Sequence, residues 1–352
     1  MRLLDDEREL RAGDRSGMLE HVAALPRQAR EGYELGLSAP DLPSAEGVSA
    51  LAVCGMGGSA ISGDVLRALA APRLGAPVVV VRSPELPAWC QHRTLVVASS
   101  YSGETAETLA AFEEALRRGC RTIVVTSGGT LADRAAELGL GRVLVPGGSV
   151  PRAAFGYLAL GLLGALEAMG LLPPMRADVE EAAAEAEARL AQLAPGLPTT
   201  ANPAKHLAEA IGERVPVIWG AEGIGAVAAL RWKAQLNENG KVPAWSSALP
   251  ELDHNEVVGW SDERGRRFFV VALRHEGEPA GVPERVELSL QIARDSGALT
   301  EEVWASGSSA LARLLTLVAH GDMTATYLGL AHGEDPTEME AIVRLKRALA
   351  DA

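Results

Sequence analysis

Twice this chain runs from an apolar strand into a glycine turn and then into a helix. That recurrence constrains its fold more than any other feature. In the first instance residues 48–54 read as a strand, Gly55-Met56-Gly57-Gly58 as a turn, and 61–71 as a helix. In the second, 215–219 read as a strand, Gly220 to Gly225 as the turn, and 226–236 as a helix. Strands that are apolar at nearly every position are covered on both faces, as in a parallel sheet held between helix layers. Further strands are expected at 77–81, 94–99, 122–126, 142–145, 267–273 and 298–304. Helices are expected at 104–118, 131–138, 153–172, 175–193, 287–296, 310–321, 323–331 and 337–350, with a mostly helical segment over 1–50. The chain has 352 residues, comfortable for two domains. Pro195, Pro198 and Pro203 close the 175–193 helix, so the expected lobes are 1–195 and 196–352. The fold class predicted is α/β, with two doubly wound parallel-sheet lobes and a cleft between them.

Charge and composition remove several function classes. The net charge of −13 repels a phosphate backbone at long range, which argues against nucleic acid as a partner. One small phosphate in a local pocket is not excluded by it. Cys54, Cys90 and Cys120 are odd in number, far apart in sequence and form no CxxC, so neither a disulfide framework nor a cysteine zinc site is expected. A reducing, cytoplasmic setting follows, and the charged start of the chain lacks a signal-peptide apolar core. Residues 153–172 match a membrane span in length, ~20 residues. Gly156, Gly161, Gly164 and Gly170 interrupt them and no basic cluster flanks them, so the segment reads as a buried helix at a domain or subunit junction, with no membrane partner.

Four motifs carry candidate chemistry. The Gly55–Gly58 turn opens a helix, where free amides and the positive helix end can face an anion. It lacks the third glycine and the acidic residue of a dinucleotide site and the GK[ST] ending of a P-loop, so a turn without ligand remains an equal reading. Ser99-Ser100-Tyr101-Ser102-Gly103-Glu104-Thr105 places Ser100, Ser102 and Thr105 around a helix start. It reads as a phosphate cup of neutral donors or as a helix capped by Ser100 or Ser102 with Glu104 or Thr105 in its first turn. Arg231-Trp232-Lys233-Ala234-Gln235-Leu236-Asn237-Glu238-Asn239-Gly240-Lys241 ends a helix in a crowded polar cluster, either a plain C-cap or a site around Glu238. Pro250-Glu251-Leu252-Asp253-His254-Asn255-Glu256 is an acidic loop with one histidine, and its spacing does not suit a metal. A cup in one lobe with Glu and His in the other outlines an acid–base enzyme for a phosphorylated metabolite, with no cofactor and no metal.

GMGGSAISGD, SSYSGET, PRAAFGY, RWKAQLNENGK, PELDHNEVVGW, GDMTATYLGL and DPTEMEAIVRLK, in that order, resemble the bifunctional phosphoglucose/phosphomannose isomerases of the sugar-isomerase (SIS) superfamily. The likeness runs from Asp14 to Lys346. It implies SIS-type, flavodoxin-like lobes and interconversion of glucose 6-phosphate or mannose 6-phosphate with fructose 6-phosphate through an enediol. It assigns Gly57, Gly58, Ser59, Ser100, Ser102 and Thr105 to the substrate phosphate, Arg152 to the charged intermediate and Glu238 to the proton between C1 and C2. It assigns His254 to ring opening across a homodimer interface and Lys346 to the open-chain sugar. Glu238 is then expected to be partly desolvated, with a raised pKa. Ser62, Ser83-Pro84 and Glu338 depart from the family pattern, at positions given no chemistry. Rival classes are a sugar-phosphate sensor, a dinucleotide-dependent oxidoreductase, and an isomerase for one epimer or another phosphosugar.

Overall fold

The computed structural model describes residues 4–70 and 73–350, apart from the side chains of residues 346, 349 and 350. Among the described residues the strands form two sheets. The first holds β1 (Ala50–Cys54), β2 (Val78–Val81), β3 (Thr94–Ser99), β4 (Arg121–Thr126) and β5 (Gly141–Leu144) in the order β2-β1-β3-β4-β5. The second holds β6 (Val215–Ala221), β7 (Trp245–Leu249), β8 (Phe268–Arg274) and β9 (Leu299–Trp304) in the order β7-β6-β8-β9. Every pairing is parallel. The first order is the flavodoxin-like one, and the second sheet repeats its first four places. All residues of β1 and β3 are buried, as the unbroken apolar runs required. The strand order reverses between β1 and β3, and in such sheets a ligand crevice opens at the carboxyl ends of those two strands.

The helices are α1 (Glu7–Gly13), α2 (Met18–Ala23), α3 (Leu25–Leu37), α4 (Gly57–Ala70), α5 (Ala106–Arg117), α6 (Gly129–Glu137), α7 (Phe155–Ala168), α8 (Arg176–Gln192), α9 (Pro203–Ile211), α10 (Ile224–Glu238), α11 (Val282–Asp295), α12 (Ala310–His332) and α13 (Glu340–Ala350). The apolar segment becomes a short 3-10 turn, Pro151–Ala154, followed by α7. Its glycines serve a close helix crossing. A Cβ on Gly36 of α3 would stand 2.1 Å from the Gly161 carbonyl oxygen, and one on Gly164 of α7 would stand 2.3 Å from that of Tyr33. Residues 155–166 are buried entirely inside one chain, so α7 has no face left for a subunit junction and gives no support to a homodimer. No described helix is long and apolar enough to cross a membrane. Gly36→Ala should destabilise the protein by about 3 kcal/mol or more, because the clash is with backbone and outweighs the ~1 kcal/mol gain in helix propensity. Thermal unfolding checks this, and an unchanged midpoint would contradict the crossing.

Four further expectations are corrected. The two expected helices at 310–321 and 323–331 are one 23-residue helix, α12, whose Asp322 stays helical because an arginine of α10 pairs with it. Strand β7 was not expected. Its sequence, WSSAL, is polar, but an edge strand needs a ladder on one side only, and β7 pairs with β6 alone. Helix α9 arises where a linker end was expected, with Asn202 Oδ1 accepting the amides of Ala204 and Lys205 and Pro203 opening the first turn. Helix α10 runs on to Glu238. The three cysteines, distant in sequence, share one small buried cluster with Leu86, Val81 and Val96. Burial first, then the neighbouring thiols, pushes Cys54 up to about 12, which leaves it protonated and inert.

Candidate active site

The first half of the site forms where β1 and β3 end. A Cβ on Gly55 would meet the Ser99 carbonyl oxygen at 2.8 Å, so only glycine lets the two strand ends close up. Gly57 has φ +50° and begins α4, which leaves the Gly57 and Gly58 amides open, while the Ser59 amide donates to the Met56 carbonyl at 3.1 Å. Ser59 is buried, and its Oγ accepts the Tyr101 amide at 3.1 Å, stitching the glycine turn to the serine loop. In that loop Ser100 Oγ and Thr105 Oγ1 lie 2.9 Å apart, the Gly103 amide donates to Ser100 Oγ at 3.2 Å, and the Glu104 amide donates to Ser102 Oγ at 3.2 Å. Gly57, Gly58 and Ser59 on the first turn of α4 and Ser100, Ser102 and Thr105 on the serine loop are thus gathered side by side at the crevice. The loop is held from behind by backbone packing, since a Cβ on Gly103 would stand 1.9 Å from the Gly128 oxygen.

The capping alternative is corrected. Helix α5 begins at Ala106 with Thr105 at its N-cap, and no side chain there accepts an amide. Glu104 lies outside α5 and caps α6 instead, accepting the Thr130 amide at 2.6 Å and its hydroxyl at 3.0 Å. The first turn of α5 therefore keeps open amides for an anion.

The second half is built on α10 and α12. Glu238 is the last residue of α10, and its Oε2 lies 3.7 Å from Arg152 Nη1. Arg152 is 4% exposed. Its Nε donates to Asn239 Oδ1 at 2.6 Å, and its Nη2 donates to the carbonyls of Pro336 at 2.9 Å and Thr337 at 3.1 Å. Nη1 is left facing Glu238. A Cβ on Gly58 would lie 3.3 Å from Arg152 Cα, so the glycine turn rests directly on the backbone of the arginine. Burial raises the Glu238 carboxyl above its ordinary value, against the opposing pull of Arg152, Arg231, Lys241 and Lys233. Burial likewise lowers Arg152, with Glu238 working the other way.

Several supporting residues were quoted in motifs but given no role from sequence. Arg231 is buried, its Nε donating to Asp322 Oδ1 at 3.1 Å and its Nη2 both to Asp322 Oδ2 and, at 2.9 Å, to the Arg152 carbonyl. Its guanidinium stacks on the Phe155 ring at 4.3 Å. Gly321 makes room for Trp232, and Gly329 lets α12 approach the Asn239 carbonyl, which a Cβ would meet at 2.2 Å. The glycine at the start and end of G-D-M-T-A-T-Y-L-G, spaced to share one helix face, was the available signal.

His254 ends an exposed 3-10 turn, Glu251–His254, after β7, and no contact joins it to Glu238 or Arg152 among the described residues. The carboxylates beside it are engaged elsewhere. Asp253 accepts from Ser289 at 2.8 Å and Arg285 at 3.0 Å, and Glu256 accepts the Trp219 and Trp260 indole N–H groups. No cluster that could hold a metal occurs among the described residues. The Lys346 side chain lies outside the described residues.

Residues 200–349 match the model of the bacterial phospho-glucose isomerase C-terminal SIS domain. The bifunctional phosphoglucose/phosphomannose isomerase of Caldicellulosiruptor bescii is 35% identical over 339 residues, covering 95% of this chain and 99% of its own. That of Aquifex aeolicus is 36% identical over 298 residues, covering 84% and 89%. The fold is shared with a glucose-6-phosphate isomerase like protein from Thermus thermophilus, with a TM-score of 0.65, 19% identity and 99% of both chains covered. The chain therefore belongs to the bifunctional phosphoglucose/phosphomannose isomerase family, built on two SIS-type parallel-sheet lobes.

Proposed function

We propose that the chain interconverts glucose 6-phosphate or mannose 6-phosphate with fructose 6-phosphate through an enediol intermediate. One observation carries the reading: a part-buried carboxylate, Glu238, faces a buried guanidinium, Arg152, whose backbone is braced by the glycine turn at Gly58. An aldose–ketose shift needs these parts together. The neutral hydroxyls of Ser59, Ser100, Ser102 and Thr105, with the open amides at Gly57, Gly58 and the start of α5, hold the phosphate monoester. Glu238 removes the proton from C2 of the aldose and returns it to C1, while a second proton passes between the two oxygens. Charge builds on the enediol oxygens during that transfer, and Arg152 Nη1, not committed to a carbonyl, meets it. Atoms and electrons balance within the sugar, so no oxidant or reductant is required. Ring opening falls to His254 and Lys346. His254 stands exposed on the chain's exterior, which suits supply to the site of a second copy in a homodimer. Three free thiols fit a reducing cytoplasm.

The test is a coupled assay on purified, EDTA-treated protein supplied with fructose 6-phosphate, reading glucose 6-phosphate and mannose 6-phosphate separately. Both products are expected. One product alone narrows the reading to a single epimer, and sugar-phosphate binding with no product supports the sensor reading instead.

A further inference from the structure

Lys241 belongs to the motif around Glu238 and has no part in the chemistry described above. It follows Gly240 in a left-handed conformation, φ +58°, that a lysine adopts only where its surroundings hold it. Its ammonium donates to three main-chain carbonyls: that of Glu238 at the end of α10, that of Pro336 at 3.0 Å, and that of Glu338. All three of its protons are thereby used, so none is left for the substrate. The Pro336 carbonyl also accepts from Arg152 Nη2. Two cations from different elements thus grip one short segment, 336–338, which leads directly into α13.

We propose that Lys241 is a positioning residue of the isomerase site, clamping the end of α10, which carries Glu238, to the 336–338 segment that Arg152 grips from the other side. The ammonium sits at the negative end of α10, where a cation offsets the unpaired carbonyls. It also adds to the positive field around Glu238, which Arg152 supplies from the Pro151–Ala154 turn and Arg231 and Lys233 supply from α10 itself. Asp335 and Glu334 face the ammonium from the C-terminal segment, and Arg152 opposes it. The inference rests on Glu238 as the base, and its test is chosen to separate the two.

The experiment compares wild-type protein with Lys241→Met, Lys241→Arg and Lys241→Gly, the last relaxing the left-handed backbone should the methionine variant not fold. Amide hydrogen exchange over 340–345 reads the clamp without reference to activity, and it should speed up in the methionine and glycine variants. kcat should fall about 10–100-fold with KM changed less than about threefold, as expected when alignment rather than binding is lost. The sign of the pH effect is set by charge. Losing a cation raises the Glu238 pKa, the base must be ionised, and so the acid limb of kcat/KM should move to higher pH in Lys241→Met and stay in place in Lys241→Arg. Wild-type exchange together with an unmoved limb in both neutral variants would overturn the proposal. Faster exchange with Glu238→Gln still active would leave the clamp standing and remove Glu238 as base.

Discussion

Glu238→Gln should lower kcat by about 10³-fold or more, toward the upper end of what one positioned base contributes. The amide keeps the shape of the carboxylate and leaves the cup untouched, because Ser59, Ser100 and Thr105 stand on other elements with their own hydrogen bonds. Sugar-phosphate affinity, read by calorimetry, should stay within about threefold, the split expected when a group acting mainly in the transition state is removed. Exchange of the substrate C2 proton with solvent deuterium should vanish along with turnover. The wild-type pH profile tests the same assignment. Burial raises the Glu238 carboxyl, and as the proposed base it must be ionised. Activity is therefore lost as pH falls through that raised value, so the acid limb lies above the ordinary carboxylate range. Turnover within tenfold of wild type in Glu238→Gln would remove Glu238 from the role of base.

Asp322→Ala should cost about 3–5 kcal/mol of stability, the range seen when one partner of a buried ion pair is removed. Arg231 and Asp322 are 2% and 5% exposed at the side chain, so the remaining guanidinium has no route to water. The pair joins α10 to α12, and the same guanidinium reaches the Arg152 carbonyl and the Phe155 ring. Loss of Asp322 should thus disturb Arg152 as well, lowering kcat beyond what the unfolded fraction explains. Arg231→Met combined with Asp322→Leu should recover much of the stability, since a packed apolar pair leaves no charge stranded. Urea unfolding of the two single variants and the double variant measures the coupling. An Asp322→Ala midpoint equal to wild type would contradict the buried-pair account.

The lobes and the two loops at the ends of β1 and β3 were legible because their causes are mostly local. Unbroken apolar strands, a glycine turn directly after β1, and hydroxyls at a helix start depend on residues that are near neighbours in the chain. The family motifs then singled out Arg152 and Glu238, which the structure brings together, and His254, which it leaves apart from them. The parts that failed to show in sequence have distant causes. Asp322 looked like a helix break and is helical, because Arg231, 91 positions away, pairs with it. The glycines of α7 looked like interruptions in an apolar helix, and they are its contact surface with α3. Strand β7 looked polar and forms because β6 offers it a ladder.

The sequence by itself determined two parallel-sheet lobes, a glycine turn and a hydroxyl-rich loop after β1 and β3, and the family to which the chain belongs. Tertiary structure alone decided how Arg152 is held, by Asn239 87 positions away and Pro336 184 positions away, and that Lys241 closes the same segment from the other side. It also decided that Glu238 is partly desolvated, for burial is a property of everything packed around a residue and no spacing within one motif encodes it.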